Sequence, residues 1–319
     1  MMVNLFFLVL GIVLLYYGSE SMVKGASSLA LSISIRPAIV GLTVVAFATS
    51  APELFVSLIA AHKDSSGISL GNILGSNVAN IGLVLGASAL IRPLAVDRRL
   101  VRREIPYMIG ATGLFWLVCL DGQVGRMDGI ILLAGLVVFL ILGIMTARKN
   151  NGGEKSAPDQ GKKKISRFIF LMLIGMAGLL VGANLMVKSA IFIARQIGLS
   201  EAFIGLSVVA VGTSLPELAT SVVAGARGES DISVGNVIGS NIFNICLVIG
   251  TIGLFNPMAV DQGLMGFEFP AMFLLSLSVF FFSRTHFTIS RKKGFFFVLS
   301  FFGFVGVSYW IGAGNTIGL

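Results

Sequence analysis

The chain has 319 residues, of which 55% are hydrophobic and only 12% charged, and its mean hydropathy is +0.94. A water-soluble domain carries about 25% charged residues, so the composition excludes a chain whose whole surface meets water. The net charge of +8 does not point to nucleic acid either, because Lys and Arg gather in three clusters (92–103, 148–167 and 284–293) that lie between apolar stretches.

A crossing of the hydrocarbon core takes roughly 20 apolar residues. In chain order, spans are predicted over 3–18, 38–61, 70–92, 105–120, 128–147, 168–194, 202–226, 232–256, 266–283 and 294–313. The first has no basic stretch before it and no small-residue cleavage site after it, and reads as a retained helix. Cys119 and Cys246 both fall in apolar segments and offer no disulfide framework. Between the fifth and sixth spans, residues 148–167 (RKNNGGEKSAPDQGKKKISR) are polar and basic, as a solvated linker is. They divide the chain into 1–147 and 168–319. Cytoplasmic loops carry the Lys/Arg excess. With the N-terminus outside, the three basic clusters fall inside and Asp261–Glu268, which lacks Lys and Arg, falls outside. The orientation expected is therefore both termini outside a plasma (inner) membrane, with the linker cytoplasmic.

The two halves repeat each other. Residues 41–86 align without a gap on 205–250, with more than half of the 46 positions identical. An odd number of spans per half turns the second copy over in the membrane. The expected fold is thus an all-α integral membrane protein of ten transmembrane helices, arranged as two inverted five-helix repeats. Secondary transporters built this way place their substrate near the midplane between the copies.

Glu53 is the only ionisable side chain between Ala38 and Ala61, and Glu217 the only one between Ala202 and Ala226. An intramembrane carboxylate costs a few kcal/mol and marks a cavity or a partner. Two such groups cannot both stay ionised without countercharge, and two negative charges match one Ca2+ or two Na+. Their contexts are Thr49-Ser50-Ala51-Pro52-Glu53 and Thr213-Ser214-Leu215-Pro216-Glu217. Pro inside a helix frees carbonyls one turn back, around Ala48 and Thr49 and around Gly212 and Thr213. Carbonyl, hydroxyl and carboxylate oxygens are hard ligands that suit Ca2+ and Na+. The competing structural reading is a helix-capping box, S-x-x-E. The second repeated element, G-N-x-x-G-S-N-x-x-N, starts at Gly71 and Gly235. Ser76 with Asn80, and Ser240 with Asn244, are four apart and share a helix face toward a common cavity. Asn72, Asn77, Asn236 and Asn241 fit interhelical hydrogen bonding better.

These paired elements resemble the α-repeats of the cation/calcium exchanger superfamily, and most closely its prokaryotic sodium/calcium exchanger branch. The resemblance implies Glu53 and Glu217 as central cation ligands. It implies supporting oxygens from Thr49, Ser50, Thr213, Ser214, Ser76, Asn80, Ser240 and Asn244, and backbone carbonyls near Ala46 and Ala210. It implies Na+ and Ca2+ as transported ions and no cofactor. Two departures stand out: Ala48 where the family pattern has Gly, and Asn244 where some relatives carry Asp. The second removes a third titratable acid and argues against potassium coupling.

The function expected is Na+/Ca2+ antiport by alternating access at one shared site, carried out by a monomer. Proton/calcium exchange on the same fold is the alternative. A cation channel is more distant, since channels place such carboxylates on an oligomer axis and here the pseudosymmetry lies within one chain. An intramembrane hydrolase would need a base beside Ser50 or Ser214, and neither repeat core contains His or Lys there.

Overall fold

The computed structural model describes residues 2–63, 65–149, 162–196 and 210–317. Among these residues, seven helices are long and apolar enough to cross a membrane, and the bent pair Pro37–Thr49 and Ala51–His62 makes an eighth. Their outer faces present Phe6, Val9, Leu173, Leu299 and Phe302, each more than half exposed. Apolar surface on that scale belongs against lipid, and the chain is a multi-pass membrane protein.

The helices differ from the predicted spans mainly in length. The first runs Met2–Ser32 instead of 3–18. Its polar second half stays helical because it is braced: Glu20 pairs with Lys24 and with Arg227, and Ser27 donates to Glu229. The linker is also shorter than predicted. Helices Arg126–Lys149 and Lys162–Gln196 take both of its ends, and 150–161 lies outside the described residues. The start of the predicted seventh span, 202–209, lies outside them as well.

Met2–Ser32 and Lys162–Gln196 pack as a close pair. A Cβ on Gly18 would stand 2.9 Å from the Gly175 carbonyl oxygen, and one on Gly175 would stand 2.7 Å from that of Gly18. Small residues let membrane helices approach in this way. The centre of the molecule is formed by Ser66–Ile91 and Ser230–Phe255, whose most apolar windows are 78% and 83% buried. These are the helices carrying the repeated G-N-x-x-G-S-N element.

Two short antiparallel ladders close the bundle. In one, Leu94 faces Ile289 and Ala95 faces Thr288; in the other, Met258 faces Val124 and Ala259 faces Gln123. Under the internal repeat, Leu94 corresponds to Met258, and Val124 to Ile289 after a single-residue insertion. The two ladders are therefore the same ladder built twice, each joining one half of the chain to the other. Thr112 and Ser276, also equivalent, meet at 3.5 Å, and each donates to the carbonyl four residues back at 2.9 Å.

In the loop before the fourth helix, Asp97 pairs with Arg36 and accepts from the Arg99 N–H at 2.6 Å. Burial raises the Asp97 carboxyl, but the Arg99 N–H and the Arg36 guanidinium more than offset it and hold it below its ordinary range. A carboxyl depressed on folding stabilises above its unfolded value, about 3.9, and that contribution fades as pH falls through the folded value. In a melting series from neutral pH down through about pH 4, Asp97→Asn is expected to lose less stability than the parent.

Candidate functional site

The helix break predicted from the two prolines is present in both repeats. Pro37–Thr49 and Ala51–His62 meet at 42°, with Ser50 at φ −80°, ψ 1° between them. Ser214 occupies the same conformation, φ −85°, ψ 6°, between Ala210–Thr213 and Leu215–Ala226. Pro52 and Pro216 fall in the first turn of the second segment of each pair, where a missing N–H costs nothing within that segment. The same missing N–H leaves the Ala48 and Gly212 carbonyls without their i+4 donor.

Ser50 and Ser214 hold the N-cap position, yet neither side chain makes a capping hydrogen bond. The capping-box reading therefore fails. Ser50 Oγ instead donates across the repeat interface to Glu217 Oε1 at 3.3 Å. Glu53 and Glu217 are both fully buried, at 0% exposure, and close enough to interact electrostatically. Thr213 and Ser214 stand beside Glu53, while Thr49, Ser50 and Ser240 stand beside Glu217. Each carboxylate thus faces hydroxyls of the opposite repeat, and Glu217 also has Ser240 of its own repeat beside it.

Thr49 lies at the centre of one half of this network. Its Oγ1 is 3.1 Å from Asn236 Oδ1, to which it donates, and 3.4 Å from Ser240 Oγ. Asn236 in turn donates to Ser221 Oγ at 2.9 Å. The mate arrangement is Thr213 donating to Asn72 Oδ1 at 3.4 Å and Asn72 donating to Ser57 Oγ at 2.9 Å. Asn72 and Asn236 accordingly bond between helices, as their sequence context suggested, and they also orient the site threonines. Ser57 and Ser221 complete that layer and were not singled out from the sequence. The signal was present, because Ser57 and Ser221 are identical at equivalent positions of the two repeats.

Asn80 opens a π-helical turn, Asn80–Leu85, and Asn244 lies in another, Phe243–Ile249. Wide turns of this kind inside α-helices occur frequently at functional sites. The first packs against Leu215–Ala226, which carries Glu217, and the second against Ala51–His62, which carries Glu53. Asn80 Nδ2 donates to Asn241 Oδ1 at 3.1 Å, leaving its own Oδ1 without a partner. Both polar atoms of Asn244 are buried without a partner, as are both oxygens of Glu53, Oε2 of Glu217 and the hydroxyls of Ser76 and Ser214. Ser76 is as buried as Ser240 but makes no hydrogen bond of its own.

The carbonyl of Ala46 accepts from the Ser50 N–H at 2.9 Å, with Thr49 Oγ1 3.3 Å away. Ala210 begins the short helix Ala210–Thr213. At the departure from the family pattern, Ala48 is buried in the smaller core. At its mate Gly212, a Cβ would meet Val187 Cγ2 at 2.4 Å.

What the arrangement offers is a buried cage of hard oxygens, two of them carboxylates, with many lone pairs unused. Such donors suit Na+ and Ca2+ and do not suit soft metals.

Comparison with known proteins places this geometry. The chain is 37% identical over 277 residues to the inner membrane protein YrbG of Escherichia coli, covering 85% of each chain. It is 32% identical over 347 aligned positions to the sodium/calcium exchanger MaX1 of Methanosarcina acetivorans, covering 97% of this chain and 99% of that one. Its fold superposes on a solved structure of the sodium-calcium exchanger NCX_Mj with a TM-score of 0.83 at 33% identity, covering 94% and 97% of the two chains. The family model described as sodium/calcium exchanger protein matches residues 3–145 and 167–310, both halves of the repeat and the site between them, and the chain belongs to that family of cation/calcium antiporters.

Proposed function

We propose that the protein exchanges Na+ for Ca2+ across an inner (plasma) membrane, both ions using the Glu53/Glu217 cage in turn. The observation that carries this reading is the set of buried, unpartnered oxygens on Glu53, Glu217, Ser76, Ser214, Asn80 and Asn244. Leaving that many polar atoms unsatisfied inside a membrane protein costs roughly 1–3 kcal/mol each, a cost that a coordinated cation removes. The cage then holds Ca2+ at charge balance, and more than two Na+ would make the exchange electrogenic. Thr49, Ser50, Thr213, Ser214, Ser240 and Ser76 supply hydroxyl oxygens, and Asn80 and Asn244 supply amide oxygens. Ala46 and Ala210, one turn before Ser50 and Ser214, contribute backbone carbonyls.

The same reading takes the fold as two inverted five-helix repeats, 1–147 and 168–319, with ten crossings. Leu100–Val118 and the pair Ala210–Thr213 and Leu215–Ala226 complete the count beyond the eight long spans. The twice-built ladder and the Thr112–Ser276 contact support an internal two-fold relation. The Lys/Arg clusters support termini outside and a cytoplasmic 148–167 segment. The internal two-fold also supports a monomer as the working unit.

Uptake of radiolabelled Ca2+ into proteoliposomes tests the coupling. It is expected to require Na+ inside the vesicles, to fail with K+ in its place, and to be indifferent to an imposed pH gradient. Uptake driven by the pH gradient alone would replace Na+ with H+ as the coupling ion.

A further inference from the structure

The two candidate amide ligands, Asn80 and Asn244, hold equivalent places in the repeats but are supported differently. Asn80 Nδ2 donates to Asn241 Oδ1 at 3.1 Å, and Asn241 Nδ2 donates in turn to Met108 Sδ at 3.5 Å. All three side chains are buried. The relay crosses between the repeats, since Asn241 belongs to Ser230–Ile242 and Met108 to Ile105–Val118. Asn77, the mate of Asn241, instead donates to the Ile73 carbonyl of its own helix at 2.8 Å.

The chemistry of the three groups gives this relay one direction. A thioether sulfur has lone pairs and no proton to give. Asn241 therefore turns its NH2 toward Met108, which leaves its oxygen facing Asn80. That oxygen only accepts, so Asn80 presents its own NH2 to it and keeps its carbonyl oxygen for another partner. Inverting Asn241 would set its oxygen against the sulfur lone pairs and bring Asn80 round as well. The Asn80 NH2 would then stand where a cation needs an acceptor. In a buried site each such mispairing leaves polar groups unsatisfied and is disfavoured. The unpartnered atom of Asn80 is accordingly its Oδ1.

We propose that Asn241, itself oriented by Met108, is a positioning residue that holds Asn80 with its carbonyl oxygen committed to the transported cation. The proposal rests on Asn80 being a ligand of the cage and not on which ion drives the exchange.

Equilibrium binding of radiolabelled Ca2+ to the full-length protein in Na+-free detergent tests it through a double-mutant cycle. Asn80→Ala and Asn241→Leu are each expected to weaken binding about tenfold, and the double variant to bind no more weakly than Asn80→Ala alone. A merely structural Asn241 would weaken binding whether or not the Asn80 amide is present. Met108→Leu, which conserves volume, gives the same cycle with a loss of about threefold, and serves if Asn241→Leu does not fold. Parent affinity in both Asn241→Leu and Met108→Leu, or losses that add to that of Asn80→Ala, would overturn the positioning role and leave the cage standing. Parent affinity in Asn80→Ala would overturn both, because Asn80 would then not be a ligand.

Discussion

Replacing either central carboxylate by its amide, Glu53→Gln or Glu217→Gln, is expected to lower Na+-dependent Ca2+ uptake at least a hundredfold while leaving the protein folded. The side chains are isosteric, so packing around the fully buried site is unchanged. What changes is charge: one of the two negative groups facing a divalent ion is gone. Removing one partner of a buried charge interaction costs about 3 kcal/mol, or roughly two decades in binding. Ser50→Ala is a graded control. It deletes the 3.3 Å hydrogen bond to Glu217 without touching charge, and a loss of about 1 kcal/mol, roughly fivefold, is expected. Vesicle flux and size-exclusion profiles measured on the same preparations separate transport from folding. If both amide variants transported Ca2+ at the parent rate, the cage would not be the shared site.

The second large effect concerns a glycine at a close helix contact between the repeats. A Cβ on Gly239 would lie 2.4 Å from the Leu42 carbonyl oxygen and 2.6 Å from Ala46 Cβ. Both atoms belong to the first segment of the broken helix, which has no room to retreat without leaving the Thr49–Asn236 contact. Gly239→Ala is expected to cost about 3 kcal/mol by overpacking and to lower the melting temperature in detergent. A melting temperature for Gly239→Ala equal to that of the parent would contradict this close contact.

Much of the site could be read from the residues because it is written twice. Pro52 and Pro216, each one residue before a lone intramembrane glutamate, located the break and the carboxylates together. The hydroxyl and amide ligand candidates followed from Ser76, Asn80 and their mates at equal spacing. What escaped the reading has physical reasons. π-helical turns at Asn80 and Phe243 have no composition signature, since they are set by packing of neighbouring helices and not by local propensity. The helical state of 19–32 comes from tertiary partners, a glycine-lined contact and ion pairs, and its polar sequence reads as a loop. Ser50 looked like a cap, and only the position of Glu217 shows where its hydroxyl goes.

The exchanged ladders carry an implication for ancestry. Each pairs a strand of one half with a strand of the other, so half of this chain alone presents two unfilled strand edges and an uncovered Thr112 or Ser276. On the inverted-repeat reading, a progenitor of half this length could satisfy those edges only with a second copy of itself threaded through the bilayer the other way up. The gene fusion that produced the present chain would then have fixed in one polypeptide what had been a matter of chance at insertion: one up, one down, in equal number. On the same reading, basic loops biased to one face would accumulate only once the two orientations were carried by separate copies of the sequence, because a protein that must insert both ways cannot favour either.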